Sequence, residues 1–151
     1  MNALPKWTIL LLITTTCFVP SLRSEQSLSE REAMATLDRF MEAFNARDMQ
    51  AWSDTLHYPH VRFASGDVTV LQSPQAFQNR QVFEALAASG WVRSRWVDRK
   101  ISLSSPRKVH IQTTFERLNS KNERIGQYQS LYIVTQKNGR WGIQARSSLA
   151  P

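Results

Sequence analysis

Four strand-like runs fill the second half of this chain, and the turns between them leave little freedom in how they pair. Val109, Ile111, Thr113 and Phe115 alternate with other residues, the period-two pattern of a strand with one buried face. Asn138-Gly139 separates the runs 125–135 and 141–145. A two-residue hairpin turn needs positive φ at both central positions, and Asn-Gly adopts that geometry at low cost. The run 91–103 turns at Ser104-Ser105-Pro106, and the next run turns around 119–122. The second half therefore reads as four sequential strands.

The first half carries helix signals instead. Ser27 with Glu30 and Ser29 with Glu32 form two overlapping capping boxes, each with a hydroxyl three residues before a carboxylate. Ala33, Leu37, Phe40, Met41 and Phe44 then recur at helical spacing. The stretch 45–48 ends this helix, and Asp48 caps a short second one running through Trp52 to Leu56. Pro59 stops it, because the residue before a proline is pushed out of the α region. Strands at 61–64 and 68–71 flank Ser65-Gly66-Asp67, and Ser73-Pro74 opens a third helix that closes at Ser89-Gly90. The expectation is an α+β chain in the order α-α-β-β-α-β-β-β-β, with one domain over 25–151 and no internal repeat.

Residues 1–24 read as a secretory signal. Lys6 precedes an uncharged run from Trp7 to Val19, Pro20 breaks it, and small residues follow. The run is short for a membrane span, which takes roughly 20 apolar residues. The expected location is the periplasm or the cell exterior, with no stable span after cleavage. Cys17 is the only cysteine and falls within this leader, so the mature chain is expected to lack disulfides. The full chain carries +7; removing 1–24 takes away Lys6 and Arg23 and leaves 17 basic against 12 acidic residues. Arg93, Arg95, Arg99, Lys100, Arg107 and Lys108 concentrate the excess. In an exported chain that stretch reads as a solvated sheet face or a surface for anionic lipid or polysaccharide; no nucleic-acid partner is expected.

Two segments carry a family resemblance. The stretch 37–48, Leu-Asp-Arg-Phe-Met-Glu-Ala-Phe-Asn-Ala-Arg-Asp, resembles the first helix and Asn-x-x-Asp turn of the nuclear transport factor 2-like superfamily, the SnoaL-like and ketosteroid-isomerase-like cone folds. Leu131-Tyr132-Ile133-Val134-Thr135 with Arg140-Trp141-Gly142-Ile143 resembles its final hairpin. The resemblance covers about 30–150. It implies a curved, mixed but mostly antiparallel sheet wrapped around three helices, a pocket at the open end of the cone, and a homodimer through the sheet. Members include isomerases, cyclases, dehydratases and epoxide hydrolases beside proteins without activity, so fold does not settle function.

Isomerase-type relatives place an acidic base near the end of the first strand. Here that position falls around Phe63-Ala64, which offers no carboxylate, and the departure weighs against that mechanism. The alternative cluster is Asp54-Thr55-Leu56-His57-Tyr58-Pro59-His60-Val61-Arg62. On a strand His60 and Arg62 share one face while Val61 and Phe63 share the other. With the polar face inward, His60 is a candidate catalytic acid or base and Arg62 orients an anionic group; with the apolar face inward, both are solvated. Tyr58, Tyr132 and Arg146 are further candidates for lining a pocket. His57 reads as a helix-end polar residue and His110 as a satisfied or surface one. A zinc site needs three or four ligands at matching spacing, which the histidines do not supply, so neither metal nor cofactor is expected. Trp141 reads as core, and Trp91 and Trp96 stay open.

Three functions follow as expectations: an exported domain whose pocket binds a small, partly apolar molecule without chemistry; a lyase or isomerase using His60; and an accessory domain docking a protein through Trp96 or the basic stretch.

Overall fold

Helix α1 (Leu28–Ala46) begins at the first of the two capping boxes. Ser27 Oγ accepts from Glu30 N at 3.3 Å, and Glu30 Oε2 accepts from Ser27 N at 3.1 Å. The second box does not form, since Ser29 already lies inside the helix and its hydroxyl meets that of Ser27 at 3.0 Å. The computed structural model describes residues 27–150 except Ser65. The reading of 1–24 as a leader, and Cys17 with it, lies outside the described residues.

The order is α1, α2 (Met49–Asp54), β1 (Leu56–Ala64), β2 (Asp67–Leu71), α3 (Pro74–Gln78), α4 (Val82–Ala88), β3 (Arg93–Ser105), β4 (Lys108–Leu118), β5 (Arg124–Lys137) and β6 (Arg140–Ser148). The strands form one sheet in the order β2-β1-β6-β5-β4-β3, antiparallel except where β1 runs parallel to β6. Class and architecture are those expected. Asn138 and Gly139 take φ of 51° and 76° and close β5 onto β6. Register shifts that leave an extra residue in β3, β5 and β6 bend the long strands, and α1 lies across β3 to β6.

Two local expectations change. The second helix stops at Asp54 rather than Leu56, because Thr55 caps it through Oγ1 to Trp52 O at 2.7 Å and Leu56 already pairs with Ile143. Pro59 then lies inside β1, where the ladder to β6 is irregular between Leu56 and Val61. A proline has no N–H to give a ladder, so an irregularity is where a paired strand tolerates one. The single helix expected over 73–90 is two short ones, broken around 79–81 where Gln81 leaves helical geometry at φ −86° and ψ 54°.

The core lies between α1 and the facing side of the sheet. Ala33 and Leu37 are fully buried against Val109, Ile111, Val134 and Ile143, each side chain contributing about 1.5–3 kcal/mol where it is a full-sized aliphatic. Asn45 joins helix to sheet: its Nδ2 donates to Ser94 O at 2.9 Å and its Oδ1 accepts from Ser94 N at 2.8 Å. That pair gives the Asn of the Asn-x-x-Asp turn its purpose, while Asp48 caps α2 through Ala51 N. Trp141 is core and Trp91 is buried, with Nε1 donating to Ser94 Oγ. Trp96 is half-buried against Tyr132 at 5.8 Å between ring centroids, so it is no exposed anchor.

His57 belongs to this scaffold. Its Nε2 donates to Thr135 O at 3.1 Å and its Nδ1 accepts from Arg140 Nη2 at 2.9 Å. Arg140 also donates to Asp54 O and Leu56 O, clamping the α2–β1 junction onto the β5–β6 hairpin. The imidazole edge lies on Gly142, where an added Cβ would stand 2.9 Å from Cδ2. Gly142→Ala is expected to cost about 1–3 kcal/mol by overpacking. Urea melts of Gly142→Ala, His57→Ala and the double variant check this: the double variant should lose clearly less than the sum, whereas additive losses would show that the two residues are uncoupled.

Candidate functional site

A cavity of about 450 Å³ opens between the helices and the concave side of the sheet. Its wall is aromatic because three helices each present a ring to the same space. Phe40 and Phe44 come from α1, Trp52 from α2 and Phe77 from α3, with Trp52 at 5.5, 4.9 and 4.8 Å from the other three ring centroids. Phe115 and Tyr132 close it from the sheet. Rings in this edge-to-face and tilted packing stabilise one another by about 0.5–1.5 kcal/mol per pair.

Polar side chains reach the cavity from the sheet. His60 and Arg62 both line it, which answers the open question of which β1 face turns inward. Arg62 pairs in register with Arg146 on β6, and Arg146 pairs with Tyr132 on β5, so the three form a row across neighbouring strands. Tyr58 does not join them. The irregularity at Pro59 breaks the alternation, and Tyr58 Oη instead meets Ser53 Oγ at 2.7 Å. Neither Tyr58 nor His57 is among the lining residues.

His60 is 4% exposed. Its Nδ1 lies 3.1 Å from Ile143 O, and a carbonyl only accepts, so Nδ1 carries the proton and Nε2 the lone pair. Burial, and after it the nearby Arg146, Arg80 and Arg62, lower its pKa from 6.5 to about 4 against the opposing Ile143 hydrogen bond. The ring is therefore neutral near pH 7, an acceptor and a weak base. Burial also raises the Tyr132 hydroxyl above its ordinary value, against the nearby Arg146 and Arg62.

Two lining residues escape sequence reading. Arg80 sits in the break between α3 and α4, where no periodicity points anywhere, and its guanidinium lies over Phe77 at 5.6 Å. Arg117 does carry a signal: it falls two residues after Phe115 on the inward face of β4, and it lies 4.9 Å from the Tyr128 ring. The conspicuous basic stretch is elsewhere. Arg95 pairs with Glu116 and Arg99 with Asp38, and Lys100, Arg107 and Lys108 are exposed. Among the described residues no group of three or more metal-ligating side chains occurs, and no helix is long and apolar enough to cross a membrane.

The model of the family described as NTF2-like protein (DUF6841) matches residues 30–150. No curated protein matches the chain. Among solved structures, a protein of unknown function with a cystatin-like fold from Nostoc punctiforme superposes with a TM-score of 0.67 at 16% identity, covering 84% of this chain and 95% of that one. An NTF-2 like protein of unknown function from Shewanella oneidensis gives 0.64 at 12% identity, covering 80% and 98%. A ketosteroid isomerase-like protein from Erwinia carotovora atroseptica gives 0.59 at 17% identity, covering 80% and 96%. At these identities the likeness is one of fold.

The histidine geometry has a pH consequence. The unfolded chain takes up a proton at His60 near 6.5 and the folded one only near 4. Stability tied to neutral His60 is thus fully present above pH 6.5 and is lost as the pH falls toward 4. Between pH 7 and 5 the melting temperature of the protein should fall by roughly 5 °C more than that of His60→Gln. Equal falls in a calorimetric scan would contradict the burial of a neutral ring.

Proposed function

The chain belongs to the NTF2-like family DUF6841, and on that premise we propose that it binds a small, partly apolar molecule in the cone cavity without transforming it. The observation that carries this reading is the wall of mutually packed rings around about 450 Å³. Small-molecule sites usually occupy about 300–1,000 Å³, largely preformed, with a few polar groups that orient the ligand. Tyr132, His60, Arg62 and Arg146 are those groups here. The leader-like residues 1–24 support export to the periplasm or the exterior. The outer sheet groove at Lys100, Gln112, Gln129, Leu131 and Leu149 supports pairing of two copies.

A lyase or isomerase using His60 is the second reading. In its favour stands a neutral ring with an unprotonated Nε2 at the cavity wall. Against it stands the basicity, since a base with pKa about 4 is poorly matched to proton abstraction near neutrality. Nor does any carboxylate among the described residues line the cavity. The accessory-domain reading keeps only the basic stretch, exposed at Arg93, Lys100, Arg107 and Lys108, because Trp96 packs inward.

A neutral apolar dye such as N-phenyl-1-naphthylamine tests the binding reading. It should gain fluorescence in the protein and raise its melting temperature, by about 2.7 kcal/mol of added stability at a hundredfold excess over Kd. Ala85 lines the cavity, and Ala85→Trp should abolish both effects while keeping the fold. An unchanged response in Ala85→Trp, or none in the unaltered protein, would contradict it.

A further inference from the structure

Among the described residues, four guanidinium groups line the cavity and no carboxylate does. Arg62 and Arg146 stand directly opposite one another on neighbouring strands, an arrangement in which like charges destabilise a sheet. Burial, and the nearness of Arg146, Arg80 and Arg117, bring Arg62 down to about 10. The two ion pairs among the described residues, Arg95–Glu116 and Arg99–Asp38, involve no cavity residue. Arg62, Arg80 and Arg146 are partly desolvated and make no ion pair among the described residues. Such cations cost stability, and a fold retains the arrangement where function needs it.

Arg146 is also held ready. Its guanidinium carbon lies 5.2, 5.6 and 5.8 Å from the rings of Tyr132, Phe115 and Phe40. Only Nη2 is engaged by protein acceptors, with Ser148 Oγ at 3.1 Å and Ser130 Oγ at 3.5 Å. A guanidinium offers five donors in a rigid plane that matches the oxygens of a carboxylate or phosphate. Aromatic contacts on its faces fix the fork without consuming those donors. The apolar wall of Phe44, Trp52 and Phe77 lies in the same cavity, suited to a hydrocarbon or aryl body.

We infer that the ligand is an amphipathic organic oxyanion, its apolar body against the helix rings and its carboxylate or phosphate ester against Arg62 and Arg146, with Arg80 supplying further positive charge. This inference rests on the binding reading above and narrows it to a ligand class. Neutral His60 adds a hydrogen-bond acceptor, suited to a hydroxyl or to the proton of a partly protonated headgroup.

Isothermal titration with 4-phenylbutyrate, 4-phenylbutyl phosphate and the neutral 4-phenylbutyramide tests the inference. At least one anion should bind ten or more times tighter than the amide, and the better of the two identifies the headgroup. The ratio should collapse toward one in Arg62→Gln and Arg146→Gln but persist in Arg107→Gln, which alters the exposed β3–β4 turn. A second readout needs no ligand: removing one member of a repelling set should raise the melting temperature of ligand-free Arg62→Gln. Equal binding of amide and anions, or a ratio that survives both cavity substitutions, would overturn the inference. Failure of all three compounds in a protein that takes up the neutral dye would overturn the anion class alone. Failure of the dye as well would remove the cavity reading beneath it.

Discussion

The parallel pairing of β1 with β6 joins the first described strand to the last, and the cavity depends on that contact more than on any other. Without it the antiparallel strands β3 to β6 would still form a sheet over α1, but Arg62 and His60 would have no fixed position beside Arg146. The pairing is non-local, so it needs support from both ends. Arg140 and His57 bind the start of β1 to the β5–β6 hairpin, and the His60 hydrogen bond to Ile143 holds its middle. Arg140 reaches Leu56 O and His60 reaches Ile143 O, both backbone carbonyls where the ladder itself is irregular, on either side of Pro59. Buried carbonyls left by the irregularity must be satisfied somehow, and these side chains do it.

Scaffold and site pull in opposite directions here. The helix caps, the Asn45–Ser94 link and the aliphatic layer over β4 to β6 all favour folding by local rules that agree with one another. The concave end breaks those rules with partly buried cations, two of them in direct cross-strand register. Rings offset part of this conflict through cation–π contacts, each worth about 0.5–2 kcal/mol. The remainder is what an anion bound in the cavity neutralises. On this account the ligand acts both as the object of recognition and as the missing counter-charge of the sheet.

Much of the scaffold was legible from the chain because its signals are local. Asn138-Gly139 dictates a hairpin by φ alone, Ser27 with Glu30 marks a helix start, and the alternation at 109–115 marks a buried face. Pro59 misled because proline ends helices far more often than it sits in a paired strand, and only the partner strand reveals the irregularity that admits it. The site was less legible. Arg62 and Arg146 each look like ordinary strand cations until the register sets them side by side, and Arg80 lies in a helix break with no pattern. The basic run at 93–108, by contrast, is dense along the sequence but lies away from the cavity. Charge that is sparse along the chain but convergent in space is the kind that a sequence hides.

The central claim is that the cavity holds a small organic anion. Native mass spectrometry of the full-length gene product recovered from its own cells tests it most directly. The account predicts retained mass that denaturation releases and that fragments in negative-ion mode with loss of carbon dioxide or phosphate. A retained neutral or cationic molecule, or a protein that stays ligand-free even after incubation with a whole-cell small-molecule extract, would contradict it.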